Sequence, residues 1–236
     1  KSHIASGADI TLIYSPRKAS DQEFVNCYSL TLDNNSVKSL DKIKSEVKKQ
    51  NVFLDTYVIN KSKLIEIINL SENRSKTSSL RDMIYSLILE GKINAKAYCF
   101  DDLVLPITSL QNYVKYSFEL LKEDLSNRLF KNDWPIYTTT HNTGPTVYGK
   151  NAEVSNSFIA NGSIIEGHVE NSIISRNVTI GEGAIVKNSI IFTKTSIASG
   201  IKVKYVLAGK HVDISTKKNV SGTKEEILFI NYGAKI

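Results

Sequence analysis

The pattern of apolar and polar positions changes after Trp134. Beyond it a short unit recurs, in which a valine is followed by any residue, Asn-Ser, an apolar residue and an isoleucine. Three copies begin at Val154, Val169 and Val186, and a degenerate fourth begins at Val203. Successive copies are thus 15, 17 and 17 residues apart, each step being close to three hexapeptides.

This hexapeptide spacing predicts a left-handed parallel β-helix. Each coil of such a helix has three short strands that send one aliphatic residue inward, with small residues or glycines at the corners. Ten of the 12 glycines lie from Gly144 onward, as corners demand because tight turns often require positive φ. An antiparallel sheet would explain alternation of period two but not this triple period.

The segment before Trp134 combines strand-like alternation with amphipathic helices. Strands are predicted over residues 9–14, 24–30, 52–59 and 95–100, with a loop containing Pro16 after the first and a turn at Asn34-Asn35. Helices are predicted after Asn60, over residues 77–90 with Gly91 at the end, and from near Thr108, where Gln111 completes the form of a capping box. Such alternation favours an α/β layer.

Length and composition support two domains, because 236 residues with 41% hydrophobic content can form two cores. We predict an α/β domain over residues 1–133, then a linker and the β-helix over residues 134–236. No run approaches the roughly 18 apolar residues of a membrane span, so we expect a cytoplasmic protein without membrane attachment. Because the chain starts at Lys1 and soon enters a strand, we expect it to be part of a longer protein.

Charge and cysteines add no obvious chemistry. The formal net charge is +6, but the lysines are dispersed, so a nucleic-acid partner is not expected. Cys27 and Cys99 each lie in an apolar run and have no metal-ligand spacing. We therefore expect two buried structural thiols.

In the order of its elements, the chain resembles the C-terminal portion of a bacterial glucose-1-phosphate adenylyltransferase, or ADP-glucose pyrophosphorylase. The resemblance spans nearly the whole chain and rests on the Val-x-Asn-Ser-x-Ile coils and on four further stretches, at residues 6–11, 52–70, 80–100 and 134–138. It implies that the first domain is the C-terminal part of a nucleotidyltransferase-like α/β fold, whose glycine-rich nucleotide loop is missing here.

That family joins ATP and glucose 1-phosphate to give ADP-glucose and pyrophosphate for glycogen synthesis. Its chemistry needs a glycine-rich phosphate loop, carboxylates that hold Mg²⁺, and a lysine for the sugar phosphate. Here residues 1–142 contain only Gly7 and Gly91, and residues 37–42 stand where the family has its Glu-Lys-Pro motif. An aliphatic run, Leu103–Ile107, replaces the family's aspartate-valine-glycine pattern, although Asp101 and Asp102 could be displaced ligands.

The resemblance thus implies a regulatory-type subunit, with no catalytic, cofactor-binding or metal residue and no cofactor of its own. Such a subunit would assemble with a catalytic adenylyltransferase subunit, in a homo- or hetero-tetramer, and respond to a sugar-phosphate effector. Effectors of the family bind near the junction of its two domains, so Arg128, Lys131 and Lys150 are the candidate effector-binding residues.

Three alternatives stay open. The first is an active sugar-phosphate nucleotidyltransferase with a divergent site. The second is a hexapeptide-repeat acyltransferase, whose general base would be a histidine at a coil edge. His168, expected at a corner after Gly167, and His211, in the last coil, are the residues to test, and both are expected on the surface. The third is an assembly module that binds no small molecule.

Overall fold

The computed structural model describes residues 1–18, 24, 27–43, 49–74 and 79–236. The chain divides into two compact units, Lys1–Thr108 and Ser109–Ile236. Among the described residues, no helix has both the length and the apolar character needed to cross a membrane.

In its described residues, the first unit has three helices and five strands. The helices are α1 (Ser2–Ser6), α2 (Lys61–Arg74) and α3 (Leu80–Leu89). The strands are β1 (Ile10–Lys18), β2 (Tyr28–Asp33), β3 (Ser36–Lys42), β4 (Lys49–Ile59) and β5 (Ala95–Cys99).

The five strands form one mixed sheet that closes on itself in the order β1-β4-β2-β3-β5. β1 pairs antiparallel with β4 and parallel with β5, whereas β2 pairs antiparallel with β3 and β4. One residue pair, Ser36 with Lys96, joins β3 to β5. α2 and α3 cover the sheet with their apolar faces, and the core combines Ile67 of α2 with Met83, Ile84, Leu87 and Ile88 of α3 and with strand residues such as Ile10, Leu12 and Phe53.

Most of the turns and helix ends predicted for this unit are confirmed. Asn34 and Asn35 form the turn between β2 and β3, both with positive φ, and Gly91 follows α3 with φ of 66°. Ser79 caps α3 and forms a capping box with Asp82. Of the predicted elements, residues 25, 26, 77 and 78 lie outside the described residues.

Two expectations for this unit were wrong. Pro16 lies inside β1 rather than in a loop, on a stretch where β1 pairs with β4 but not with β5. A proline is tolerated there because an edge strand has no second ladder for the missing N–H. Cys99 is exposed and Cys27 is half-buried, so the pair are not two buried thiols.

The second unit begins with two helices, α4 (Leu110–Glu119) and α5 (Glu123–Leu129), and continues as a β-helix. Its fifteen short strands form three parallel sheets of five strands each. One sheet holds β6 (Val147–Tyr148), β9 (Ile164–Ile165), β12 (Thr179–Ile180), β15 (Ser196–Ile197) and β18 (Asp213–Ile214). The second holds β7 (Glu153–Ser155), β10 (His168–Glu170), β13 (Ile185–Lys187), β16 (Lys202–Lys204) and β19 (Asn219–Ser221). The third holds β8 (Phe158–Ile159), β11 (Ile173–Ile174), β14 (Ile190–Ile191), β17 (Val206–Ala208) and β20 (Leu228–Ile230).

The repeat places equivalent residues directly above one another. Val169 pairs in register with Val154 and Val186, and Val186 pairs in turn with Val203. The valines at 169, 186 and 203 are almost wholly buried, as are the isoleucines at 174, 180, 191, 197 and 214. The stacked aliphatic core that the spacing predicts is therefore present, and the predicted fold class is confirmed.

The Asn-Ser pair of each copy forms the corner between the second and third sheets. Asn156, Asn171 and Asn188 have φ of 42°, 45° and 49°, a left-handed conformation that asparagine tolerates better than most residues. Asn156 Nδ2 donates to Asn171 Oδ1 at 2.8 Å, and Asn171 Nδ2 donates to Asn188 Oδ1 at 2.6 Å. We call these three residues the asparagine ladder.

A second ladder, of serines, lies beside it. Ser172 Oγ donates to the Glu170 carbonyl at 2.8 Å and accepts from the Ser189 N–H at 3.2 Å. Ser189 Oγ likewise donates to the Lys187 carbonyl and accepts from the Val206 N–H. Ser172 and Ser189 are fully buried, so each hydroxyl satisfies two backbone groups that water cannot reach.

Helix α4 belongs with the β-helix rather than with the first unit. Val114 is buried against Ile190 and Leu207, which project outward from the third sheet, and Tyr113 and Phe118 pack on the same cluster. The two units divide after Thr108, earlier in the chain than the predicted boundary after residue 133. The cap of α4 is Ser109, whose side chain accepts from the Asn112 N–H, and not Thr108 as predicted.

Candidate functional site

A bulge in β4 places a small polar cluster on the surface of the first unit. Leu12 pairs with Tyr57 and Tyr14 pairs with Phe53, so residues 54–56 of β4 lie opposite the single residue Ile13. Asp55 at the centre of the bulge has φ of 51°. A left-handed aspartate within a strand is a local strain of the kind that gathers at functional positions.

The Asp55 carboxylate contacts a tyrosine and an arginine. Tyr57 Oη donates to Asp55 Oδ1 at 3.3 Å, and Arg81 Nη1 of α3 lies 3.6 Å from Asp55 Oδ2. The Arg81 guanidinium is stacked over the Tyr28 ring, 4.3 Å from its centroid. Among the described residues, the buried Arg81 Nε has no hydrogen-bond partner.

The electrostatics of this cluster disfavour further negative charge. Burial raises the pKa of the Cys27 thiol, and the Asp55 carboxylate raises it further. Burial likewise raises the pKa of the Tyr57 hydroxyl, with Asp55 adding to the effect and Arg81 opposing it. At neutral pH both groups are therefore protonated, and the Cys27 thiol is not activated as a nucleophile.

The segment after β5 contains the two candidate displaced ligands. Asp101 is exposed, whereas Asp102 is half-buried and its Oδ1 accepts from the Leu103 N–H at 2.7 Å. Leu103 to Leu105 are half-buried, Pro106 is buried and Ile107 is exposed. Among the described residues, no three histidine, cysteine, aspartate or glutamate side chains are grouped as metal ligands.

The histidines of the β-helix occupy unlike environments. His168 lies on β10 and not at a corner, because the corner is formed by the residues before it. Its Nδ1 lies 2.9 Å from Glu153 Oε2, and its Nε2 lies 3.6 Å from Glu170 Oε2. His211 is exposed and packs against the Tyr232 ring at 5.3 Å.

Glu170 links His168 to the next coil. Lys187 Nζ lies 2.5 Å from Glu170 Oε2, and the hydrogen bond from Lys187 is the main cause that lowers the pKa of the Glu170 carboxyl. Both ring nitrogens of His168 thus face carboxylates of its own sheet. This geometry is that of a polar network between neighbouring coils rather than of a general base aimed at a substrate.

The three predicted effector residues lie on different elements. Arg128 is in the last turn of α5, Lys131 follows that helix, and Lys150 is exposed in the turn between β6 and β7. Their joint role as an effector site stays a prediction.

Sequence reasoning missed a cavity within the second unit. Between α4 and the corner formed by the asparagine ladder lies a space of about 630 Å³, which we call the corner cavity. Its walls come from α4, from Asn171, Asn188 and Tyr205, and from the loop at Lys224 and Glu225. The sequence feature that could have indicated this cavity is Tyr205, which replaces the asparagine in the fourth copy of the repeat. In the structure Tyr205 has the same left-handed conformation as the asparagines, with φ of 53°.

Comparison with known proteins agrees with both units. A family model described as GlmU-like, C-terminal hexapeptide, matches residues 144–226. The glycogen biosynthesis protein GlgD of Bacillus subtilis (strain 168) is 33% identical over 170 residues, which cover 66% of this chain and 50% of that protein. A glucose-1-phosphate adenylyltransferase of Bacillus thuringiensis (strain Al Hakam) is 26% identical over 160 residues, which cover 67% of this chain and 42% of that protein.

A second GlgD, from Geobacillus stearothermophilus, is 50% identical over 70 residues, covering 30% of this chain and 20% of that protein. The chain thus spans about half the length, or less, of the curated relatives it matches. The resemblance predicted from the sequence is therefore confirmed: the chain is similar to the C-terminal portion of the glycogen biosynthesis protein GlgD and of bacterial glucose-1-phosphate adenylyltransferases.

Proposed function

We propose that the chain is part of a regulatory subunit of a cytoplasmic glucose-1-phosphate adenylyltransferase, which assembles with a catalytic subunit and changes its rate or affinity. The observation that carries the proposal is the segment after β5. Where the family resemblance implies a Mg²⁺ carboxylate followed by glycine, this chain has an aliphatic run, Leu103–Ile107, and Asp102 Oδ1 accepts a hydrogen bond from the Leu103 N–H.

Such a replacement would weaken phosphoryl-transfer chemistry strongly. Mg²⁺ neutralises the charge that develops between the attacking sugar phosphate and the leaving pyrophosphate. Asp101 and Asp102 are the remaining carboxylates of the segment, and only Asp101 is exposed there. We infer that this chain does not supply a complete metal site.

The sugar-phosphate side of the site supports the same inference. The region that matches the family's Glu-Lys-Pro motif is β3, an ordinary hairpin strand paired with β2. Lys38 in this strand forms an exposed ion pair with Asp33, at 3.4 Å. Its ammonium therefore already faces a carboxylate and is exposed, unlike a lysine set in a substrate pocket.

The β-helix supports the assembly part of the proposal. Its stacked core and its ladders of asparagine and serine form one continuous scaffold, and the faces that α4 does not cover are available for packing against other subunits. We propose that the chain forms a tetramer, either of its own copies or together with the catalytic subunit, in which it supplies interfaces and effector response.

The test is the formation of ADP-glucose from ATP, Mg²⁺ and glucose 1-phosphate. The full-length protein would be assayed alone, then titrated into a fixed amount of its catalytic partner. We expect no turnover from the protein alone and a changed kcat or KM in the mixture. Turnover by the protein alone, or a mixture that behaves as the catalytic subunit does by itself, would overturn the proposal.

The effector residues need a separate test on the mixed enzyme. The triple change Arg128→Gln, Lys131→Gln and Lys150→Gln should reduce the response to a sugar-phosphate effector. A matched triple change of exposed lysines in the β-helix, Lys202→Gln, Lys210→Gln and Lys218→Gln, should leave that response intact. Equal responses from both triple variants would remove these residues from consideration as the effector site.

A further inference from the structure

The corner cavity has the size and the mixed polar and apolar lining of a small-molecule site. We propose that it binds a short neutral oligosaccharide. The proposal concerns the second unit alone and does not depend on the regulatory role proposed above.

The size of the corner cavity is appropriate. Small-molecule sites typically enclose about 300–1,000 Å³, and this cavity encloses about 630 Å³. All of its lining residues lie between Gln111 and Ile227, within the second unit.

Its polar lining matches hydroxyl groups. Gln111, Asn112 and Asn188 contribute side-chain amides, and Tyr205 contributes a phenol. Each amide, like each phenol, can both donate and accept hydrogen bonds. A sugar hydroxyl does the same, so a ring bearing several hydroxyls can satisfy such a wall without carrying charge.

The last asparagine of the ladder, Asn188, lies at this wall and has a side-chain donor available for a ligand. Its hydrogen bonds run in one direction, from Asn156 through Asn171 to the Oδ1 of Asn188. Because Tyr205 replaces the next asparagine, Asn188 Nδ2 donates no hydrogen bond within the part of the chain that the structure describes. An acceptor oxygen in the cavity would complete the ladder.

The remaining wall is apolar and comes from the helix and the last loop. Val114, Phe118 and Ile227 line the cavity beside the amides. A pyranose ring presents hydroxyls at its rim and C–H groups on its faces. A cavity with an amide side and an apolar side therefore fits both parts of the ring.

The charged lining residues, Lys115, Lys224 and Glu225, carry both signs, so hydroxyl groups, which can donate to the carboxylate and accept from the ammonium groups, can pair with all three. Lys224 is followed by Glu225, and both line the cavity, so an anion drawn to the lysine also meets a carboxylate. The other basic residue, Lys115, has its Nζ 5.3 Å from the centroid of the Tyr116 ring. A phosphate would have to compete with Glu225, whereas a sugar hydroxyl can donate to it.

The experiment uses the full-length protein without a catalytic partner. Binding of maltotriose, cellotriose, inorganic phosphate and glucose 1-phosphate would each be measured by calorimetry and by saturation-transfer NMR. We expect saturable binding of at least one neutral trisaccharide. Glu225→Ala and Tyr205→Phe should each weaken it about five-fold, as the loss of one hydrogen bond implies.

The matched controls are Glu226→Ala, next in the chain but outside the cavity, and Tyr148→Phe, on β6. Both should bind as the unmodified protein does, and circular dichroism would verify that all four variants are folded. If neither trisaccharide binds saturably, the proposal is overturned. Binding of the phosphates alone, or equal losses in the cavity and control variants, would also overturn it. Each of these results would leave the adenylyltransferase assays unaffected, so failure here is distinguishable from failure of the regulatory proposal.

Discussion

At the scale of single residues, Asp55 has the conformation least expected from the sequence. The apolar pattern of residues 52–59 predicted a strand, and β4 is confirmed there. That pattern does not reveal the bulge, because the bulge depends on which residues of β1 oppose β4. The local hint was an aspartate inside a strand, where aspartate is depleted but where it tolerates a left-handed turn.

The effect of the Asp55 charge should be measurable as a change in the pKa of the Cys27 thiol. Because the carboxylate raises the pKa of the Cys27 thiol, Asp55→Asn should lower that pKa, although burial will keep it above the ordinary value. The pH dependence of Cys27 alkylation, measured in a Cys99→Ser background, should shift to lower pH. Asp33→Asn, which removes another exposed carboxylate of the first unit, serves as the control. A Cys27 profile that responds equally to both changes would contradict the assignment.

At the scale of elements, the Val-x-Asn-Ser-x-Ile spacing correctly predicted the burial of Val169, Ile174, Val186 and Ile191, whereas Val154 of the first copy is exposed. The spacing could not assign roles to its polar members, since hydrogen bonds between coils appear only when the coils are stacked. Asparagine supplies the left-handed corner and serine closes the backbone hydrogen bonds beneath it. The candidate site was harder to predict for the same reason, because the corner cavity exists only where α4 meets the stacked corner.

The serine ladder can be tested by removing one hydroxyl. Ser172→Ala leaves the buried Ser189 N–H without its side-chain acceptor, which should cost about 1–3 kcal/mol of the free energy of unfolding. Chemical denaturation followed by circular dichroism measures that change. Ser221→Ala, at an exposed position of β19, should change the free energy of unfolding by less than about 0.5 kcal/mol. If the two variants are equally stable, the serine hydroxyls do not hold the coils together.

At the scale of the whole molecule, the sequence predicted two folded parts but placed α4 in the first. The amphipathic helix predicted from near Thr108 is present as α4, yet an amphipathic pattern does not say which surface the apolar face will cover. The surface that α4 covers is formed by the outward-facing Ile190 and Leu207. They occupy the outer face of the third sheet, where a solvated residue would be expected without a covering helix, and they are 1% and 2% exposed.

Two fragments therefore test where the second unit begins. Residues 109–236 keep α4, whereas residues 134–236 follow the boundary predicted from sequence and expose Ile190 and Leu207. A fully buried aliphatic side chain contributes about 1.5–3 kcal/mol, so the shorter fragment should be less stable by several kcal/mol, on the order of two or three such side chains. The measurement is the denaturant midpoint of each fragment.

The loss of α5 should contribute less to such a difference than the loss of α4, because none of the residues of α5 is fully buried. In the longer fragment, Val114→Asp should reproduce the instability by removing the contact of α4 with Ile190 and Leu207. Gln111→Asp, at an exposed position of the same helix, should not. Equal midpoints for the two fragments would instead support a boundary after residue 133, and would mean that α4 covers the β-helix without stabilising it.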